Sequence, residues 1–164
     1  MKLKRIKTIK ANKCNYDITY KRSYDDIRGI VIHNTSNVGD KAISNARFFS
    51  NKVTPSRSAH FFIDRDGEIY KSVYVHRVAW SVGQPSKGVL YNNKNTISIE
   101  LCDIVDKDIS EKQLDSLKWL IKRLKKKCKN CTQILRHYDI NGKECPVRYV
   151  DSKKWEELRK ELLK

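Results

Sequence analysis

The chain has 164 residues, the length of one domain on a single core, and its 39% hydrophobic and 9% aromatic content suffices for a globular fold despite 33% charged residues. Lysine and arginine number 35 against 19 aspartate and glutamate, a net charge of +16 that calls for a polyanionic partner: nucleic acid, an anionic membrane or a phosphate-rich wall polymer. No apolar run reaches the length of a membrane span, and the basic opening MKLKRIKTIK lacks the apolar stretch of a secretory signal.

In chain order, Arg28–His33 reads as a buried strand ending at a polar loop. Residues 40–51 carry Ala42, Ile43, Ala46 and Phe49 at helical spacing, with Asp40 as the expected cap. Residues 58–64 and 68–73 are strand-like runs around Arg65-Asp66-Gly67, a hairpin signal. In the strand predicted over 95–102, Ile97, Ile99 and Leu101 share one face, Ser98 and Glu100 the other. Ser110 and Gln113 form a capping box. It opens a long helix striped by Leu114, Leu117, Leu120, Ile121 and Leu124, and the lysines of 122–127 suit its C-terminal end. A short strand is expected at 133–136, then a polar loop to Val150. A last helix over 151–163 turns Trp155, Leu158 and Leu162 inward. Interspersed strands and helices predict a single α/β domain over 1–164, a mixed central sheet flanked by helices.

Chemistry concentrates at His33, His137 and Cys145. Both histidines close predicted strands, and Cys145 follows in the loop Asn141-Gly-Lys-Glu-Cys-Pro146. Loops leaving strand ends converge on clefts. Two imidazoles and a thiolate suit a three-ligand zinc site with an open fourth position. Spacing alone does not prove convergence. A blue-copper reading would add an axial methionine, and Met1 is the sole methionine. The other rival is a zinc knuckle of Cys128, Cys131, His137 and Cys145 in a nucleic-acid module. It requires a tight turn where Ile134-Leu135 reads as strand, and it leaves His33 and Glu100 idle. Cys128 and Cys131 are then free thiols at a helix end, or a strained local disulfide.

Several stretches together resemble the type-2 zinc-dependent N-acetylmuramoyl-L-alanine amidases, which share a fold with peptidoglycan recognition proteins and amidase-type phage lysozymes. They are Ile30-Val-Ile-His-Asn-Thr35, Ser58-Ala-His-Phe-Phe-Ile63 with Asp66-Gly67, Ala79-Trp80, Asn95-Thr-Ile-Ser-Ile-Glu-Leu101, Arg136-His137 and Lys143-Glu-Cys-Pro146. The resemblance spans roughly residues 27–156. It implies one zinc on His33, His137 and Cys145, Glu100 as acid/base, and Lys143 as transition-state stabiliser. A branch that uses Tyr before the aligned His has Ala59 here, so the glutamate branch fits. The family's frequent His after Ala-Trp is Ser81 here, a departure within the substrate groove that the resemblance implies. Binding-only relatives lose the ligand Cys; Cys145 favours catalysis over a peptidoglycan-binding module.

The residue chemistry agrees. A thiolate ligand softens the metal's charge, and a nearby cation such as Lys143 compensates at the developing oxyanion. Strand alternation over 58–61 aims His60 into the cleft as a substrate contact, with a satisfied structural histidine as the equal alternative. Trp80 is a candidate stacking platform, or core. The resemblance implies peptidoglycan as partner, a monomer, no nucleic acid and no membrane insertion. Surplus charge is expected to attract anionic wall polymers such as teichoic acids. Synthesis in the cytoplasm and release through a holin-type pore or lysis are expected, as for phage endolysins. A separate wall-binding domain, common in such enzymes, is not legible in these residues.

Overall fold

Parallel pairing of the two most apolar runs, over 29–34 and 96–101, sets the frame on which everything else is hung. The structure is a computed structural model that describes residues 4–164, so the first three residues of the basic opening lie outside the described residues. Its strands are β1 (Ile6–Thr8), β2 (Tyr16–Asp17), β3 (Gly29–Asn34), β4 (Phe61–Ile63), β5 (Ile69–Lys71), β6 (Val78–Ala79), β7 (Thr96–Leu101) and β8 (Gln133–Arg136). The helices are α1 (Ala42–Ser50), α2 (Glu111–Lys127), α3 (His137–Asn141) and α4 (Ser152–Leu163). Six strands form one mixed sheet in the order β1-β5-β4-β7-β3-β8, and β2 pairs with β6 apart from it. Only β4–β5 is antiparallel in the large sheet; its other pairs are parallel.

Alternation along the strands sorts the two faces. Ile30, Ile32, Ile97, Ile99, Leu101, Phe61 and Ile63 join Leu117, Leu120, Ile121 and Leu124 of α2 and Trp155, Leu158 and Leu162 of α4 in the main core. Fully burying a side chain of this kind contributes about 1.5–3 kcal/mol. The opposite face is covered by α1, whose Ala42 and Ala46 pack with Phe62 and Tyr70, and by Val82 and Ile140 against Val31. Among the described residues no helix is long and apolar enough to cross a membrane.

Three local expectations are corrected, and one strand is new. Asp40 does not cap α1: the Ala42 amide donates to Asp64 (3.2 Å), while the Asp40 carboxylate accepts from the Asn45 side chain (2.5 Å) and the Asp103 amide (2.7 Å). The Ser110–Gln113 box is half formed. Ser110 accepts from the Gln113 amide (3.1 Å), but the Gln113 side chain is buried and donates to the carbonyls of Ile63 (2.9 Å) and Cys102 (3.0 Å). The expected loop 137–150 contains α3 and a 3-10 turn over Val147–Tyr149. Asp139 closes the first turn of α3 by accepting from the Arg136 amide (2.7 Å), and Gly142, at φ 78°, ends it. Five residues are too few to print an apolar period. β1 escapes notice because it is three residues long inside a basic run; it forms a sheet edge beside β5 and carries Lys7, paired with Glu68.

The 65–67 hairpin forms as expected. Gly67 has φ 80°, and a Cβ there would meet the Lys112 carbonyl oxygen at 2.7 Å. Asp64 holds the turn by accepting from the amides of Asp66 and Glu68 (both 3.1 Å).

Candidate active site

Strands β7, β3 and β8 are neighbours and all parallel, so their C-terminal ends open on one edge of the sheet. His33 lies opposite Glu100 in the β3–β7 register, which points both side chains to the α1 face. Ile32 lies opposite Arg136, so His137, the next residue, enters α3 level with His33. Cys145 arrives from the loop after α3. The Tyr138 amide donates to the Cys145 carbonyl (2.9 Å), the Val147 amide donates to the Asn34 side chain (2.8 Å), and the Asn34 amide donates to the thiol (3.4 Å).

These segments bring the three predicted ligands together. Donor atoms of His33, His137 and Cys145 all lie within 4.8 Å of one another, and all three residues are buried. The thiol is 3.7 Å from His33 Nδ1, and the imidazole centroids are 4.7 Å apart. His137 Nε2 donates to the Val82 carbonyl (3.2 Å), which leaves the Nδ1 lone pair for the cluster. His137 Nδ1, His33 Nε2 and Glu100 Oε2 are buried without a hydrogen-bond partner. An orphaned nitrogen such as His137 Nδ1, the one left for the cluster, is costly unless a ligand satisfies it. Their donor set, two imidazoles and a thiol, fits zinc.

Electrostatics prepare the same donors. Burial drives His33 well below the usual imidazole range, helped by His137 and Lys143, and lowers His137 to about 4. Both rings are therefore neutral near pH 7. Burial pushes the Cys145 thiol up to about 12, reinforced by Glu100. Glu100 Oε1 is 4.0 Å from His33 Nδ1. Burial raises its carboxyl to about 7, with Lys143 opposing and Asp40 reinforcing the shift.

The cluster opens into a cleft of 640 Å³ whose walls include Asp40, Arg57, Trp80, Ser81 and Lys143. Lys143 is exposed and Trp80 half-buried. Asn34 and exposed Phe48 also line it, Asn34 from the Ile30–Thr35 motif and Phe48 from outside every motif. For Phe48 the legible signal is a phenylalanine beside, rather than within, the apolar stripe of α1.

His60 is not in this wall. Strand β4 begins only at Phe61, so alternation does not govern residues 58–60, and His60 turns inward while Ser58 reaches the cleft. Its Nδ1 lies 2.9 Å from Ser98 Oγ, and its Nε2 lies 2.9 Å from Arg22 and 3.1 Å from the Arg77 carbonyl. The substrate-contact expectation for His60 is therefore replaced by a buried structural role.

Arg22, unmarked by any sequence pattern, is the centre of that network. It is 2% exposed and has no carboxylate partner among the described residues. Its guanidinium donates to the carbonyls of Val75 (2.8 Å), Asn93 (3.0 Å), Lys94 (2.9 Å) and Thr96 (2.7 Å). Burial lowers its pKa to about 10, still charged at neutral pH. The staple fixes the chain entering β7, hence the strand bearing Glu100. Arg22→Met is expected to cost about 3–5 kcal/mol, because four carbonyls, that of Thr96 buried and the others partly so, lose one charged donor. Urea unfolding measures it, and a loss below about 1 kcal/mol would mean the carbonyls find other partners.

Cys128 and Cys131 are free and buried in the main core, on the face away from His33. They neither pair with each other nor join His137, which removes the knuckle geometry.

A mixed α/β sheet with a metal-competent donor cluster and a part-buried carboxylate at one strand edge is the frame of a hydrolase-type cleft. Comparison with known proteins names the class. The profile of the N-acetylmuramoyl-L-alanine amidase family matches residues 23–148. The amidase CwlH of Bacillus subtilis (strain 168) is 34% identical over 125 residues, covering 74% of this chain and 48% of CwlH. A mutant endolysin from Bacillus subtilis superposes with a TM-score of 0.79 at 29% identity, covering 98% of this chain and 99% of that one. The catalytic domain of XlyA gives 0.78 at 29% identity, covering 96% and 99%.

This chain belongs to the N-acetylmuramoyl-L-alanine amidase family. It spans about half the length of the curated relatives CwlH and CwlA that it matches.

Proposed function

We propose that this chain hydrolyses the amide between the lactyl group of N-acetylmuramic acid and L-alanine in bacterial peptidoglycan, using one zinc ion. The observation that carries the reading is the convergence of His33, His137 and Cys145 donor atoms within 4.8 Å, beside Glu100. Those three residues would hold the metal. When bound there, zinc supplies Lewis acidity toward a carbonyl and toward water.

The remaining roles fall to the chain's own groups. Glu100 takes a proton from the attacking water and returns it to the leaving amine of alanine; a carboxyl poised near neutrality suits both transfers. Lys143 faces the oxyanion that develops on the former carbonyl oxygen. Trp80 offers a ring face to the sugar or stem peptide, and the Val82 carbonyl keeps the His137 ring oriented. The protein acts as a monomer on the cell wall, reached from the cytoplasm by a holin-type pore or lysis, with anionic wall polymers as a further partner.

Digestion of purified peptidoglycan with mass analysis of the products tests the reaction. Amidase cleavage releases peptides with free L-alanine amino termini and leaves intact glycan strands. Shortened glycans or cut cross-links would refute it. Lys143→Ala is expected to keep the metal and lower the chemical rate by about 10²–10³, the loss typical of one oxyanion donor. Single-turnover rates read it, and an unchanged rate would take Lys143 out of the chemistry.

A further inference from the structure

On the sheet face away from the cleft lies a second groove, of 440 Å³. Its walls come from Lys4 and Arg5 before β1, from Lys71 and Tyr74 at the end of β5, and from Trp119, Arg123 and Lys127 of α2. No carboxylate lines it. None of its five lysines and arginines is in an ion pair among the described residues, where the paired cations lie elsewhere.

Aromatic rings hold several of these cations in position. Lys71 Nζ sits 4.4 Å from the Tyr74 ring centre, the Arg123 guanidinium 5.7 Å from that of Trp119, and Lys127 Nζ 5.9 Å from that of Tyr24. Such contacts orient a cation without cancelling its charge. His76 in the groove wall is lowered first by burial, then by Lys21, Arg77 and Arg22 outside the groove, and last by Lys71 within it. Trp119 is also the border of a neighbouring groove between α2 and α4, which carries Lys122, Lys125, Lys126 and Lys129. The 17 residues of α2 run about 25 Å, room for several successive charges of an extended polymer.

Clustered like charge costs stability unless an anion neutralises it. Two features choose among anions. Tyr74 and Trp119 carry cations over their rings, which disfavours stacking of bases. The charged lining is concave, where a lipid surface calls for a convex apolar one. We propose that this back face binds a flexible, base-free phosphodiester polymer of the bacterial wall, with Lys71, Arg123 and Lys127 contacting successive phosphates. Choosing a wall polymer rests on the amidase reading; the anion site itself does not.

The test uses the zinc-loaded full chain with poly(glycerol phosphate) and, as competitor class, oligothymidylate of equal phosphate number. Arg123→Glu with Lys127→Glu is compared with Lys87→Glu and Lys153→Glu, exposed positions outside both grooves and the cleft that make the same change in net charge. The groove variant should bind poly(glycerol phosphate) at least about tenfold more weakly, with a salt dependence shallower by about two phosphate contacts, and the control within about twofold of the parent. The neutralising pair Lys71→Gln with Arg123→Gln should show a smaller loss in the same direction, which separates lost binding from misfolding. Equal weakening in groove and control variants would overturn the site in favour of bulk attraction. Tighter binding of oligothymidylate would overturn the wall-polymer assignment. Cleavage of a small soluble muramyl-peptide should be unchanged in every variant. Its absence in the parent would count against the amidase reading alone, since binding is read separately.

Discussion

Glu100→Gln is expected to lower the rate of amide hydrolysis by roughly 10²–10⁴ while leaving zinc content and folding intact. Glutamine keeps the size of the side chain and its place beside His33, but its amide cannot accept and return a proton. The site isolates that one property. Glu100 is not one of the three donors clustered within 4.8 Å, so its loss leaves the ligand set whole. Its Oε2 is buried without a hydrogen-bond partner, so no structural bond is broken there. The carboxyl, raised to about 7 mainly by burial, is a balanced acid and base near neutral pH. The measurement is kcat on a soluble muramyl-peptide, alongside metal content by mass spectrometry. Near-normal turnover with full zinc would move proton transfer away from Glu100.

The second large effect concerns the metal. Purified protein should carry about one zinc, and His33→Ala, His137→Ala or Cys145→Ala should lose zinc and activity together. Cys128→Ser with Cys131→Ser should keep both, since these thiols lie in the core behind the sheet. Zinc uptake by the metal-free protein at pH 7 should release about one proton, that of the Cys145 thiol. The sign follows from the donors. Both imidazoles are already neutral because their pKa values are depressed, whereas the thiol, raised to about 12, must ionise to ligate. Affinity should therefore fall as pH is lowered. Calorimetry in buffers of different ionisation enthalpy counts the protons. Release of two or more would mean that a second group, a histidine or Glu100, also gives up a proton, and full zinc retention in His33→Ala would remove the ligand assignment.

Much of this was written in local pattern. Alternation over 95–102 put Glu100 on the face opposite Ile97, Ile99 and Leu101, and the structure keeps that split. The stripe of the long helix and the Asp66-Gly67 turn were legible for the same reason: period and turn chemistry act between near neighbours. Motifs carried by His33, Glu100, His137 and Cys145 were legible as residue types. Their meeting was not. It depends on β7, β3 and β8 lying side by side in parallel, and on a register that sets His33 against Glu100 and Ile32 against Arg136. Pairing between residues 67 and 104 positions apart leaves no local trace.

The misses have the same cause. Asp40 has the chemistry of a cap, yet it is drawn to Asn45 and Asp103 while Asp64, from another segment, serves α1. His60 could be assigned to a face only if residues 58–60 were strand, and the ladder starts one residue later. Arg22 resembles any surface arginine in a basic chain until four carbonyls from two distant loops close around it. By itself the sequence determined which reactive side chains the chain offers and which face is apolar in the strands and helices long enough to show a period. Only the tertiary structure decided which side chains meet and which polar groups are buried, because those outcomes depend on long-range register and on desolvation, and both exist only once the chain has packed.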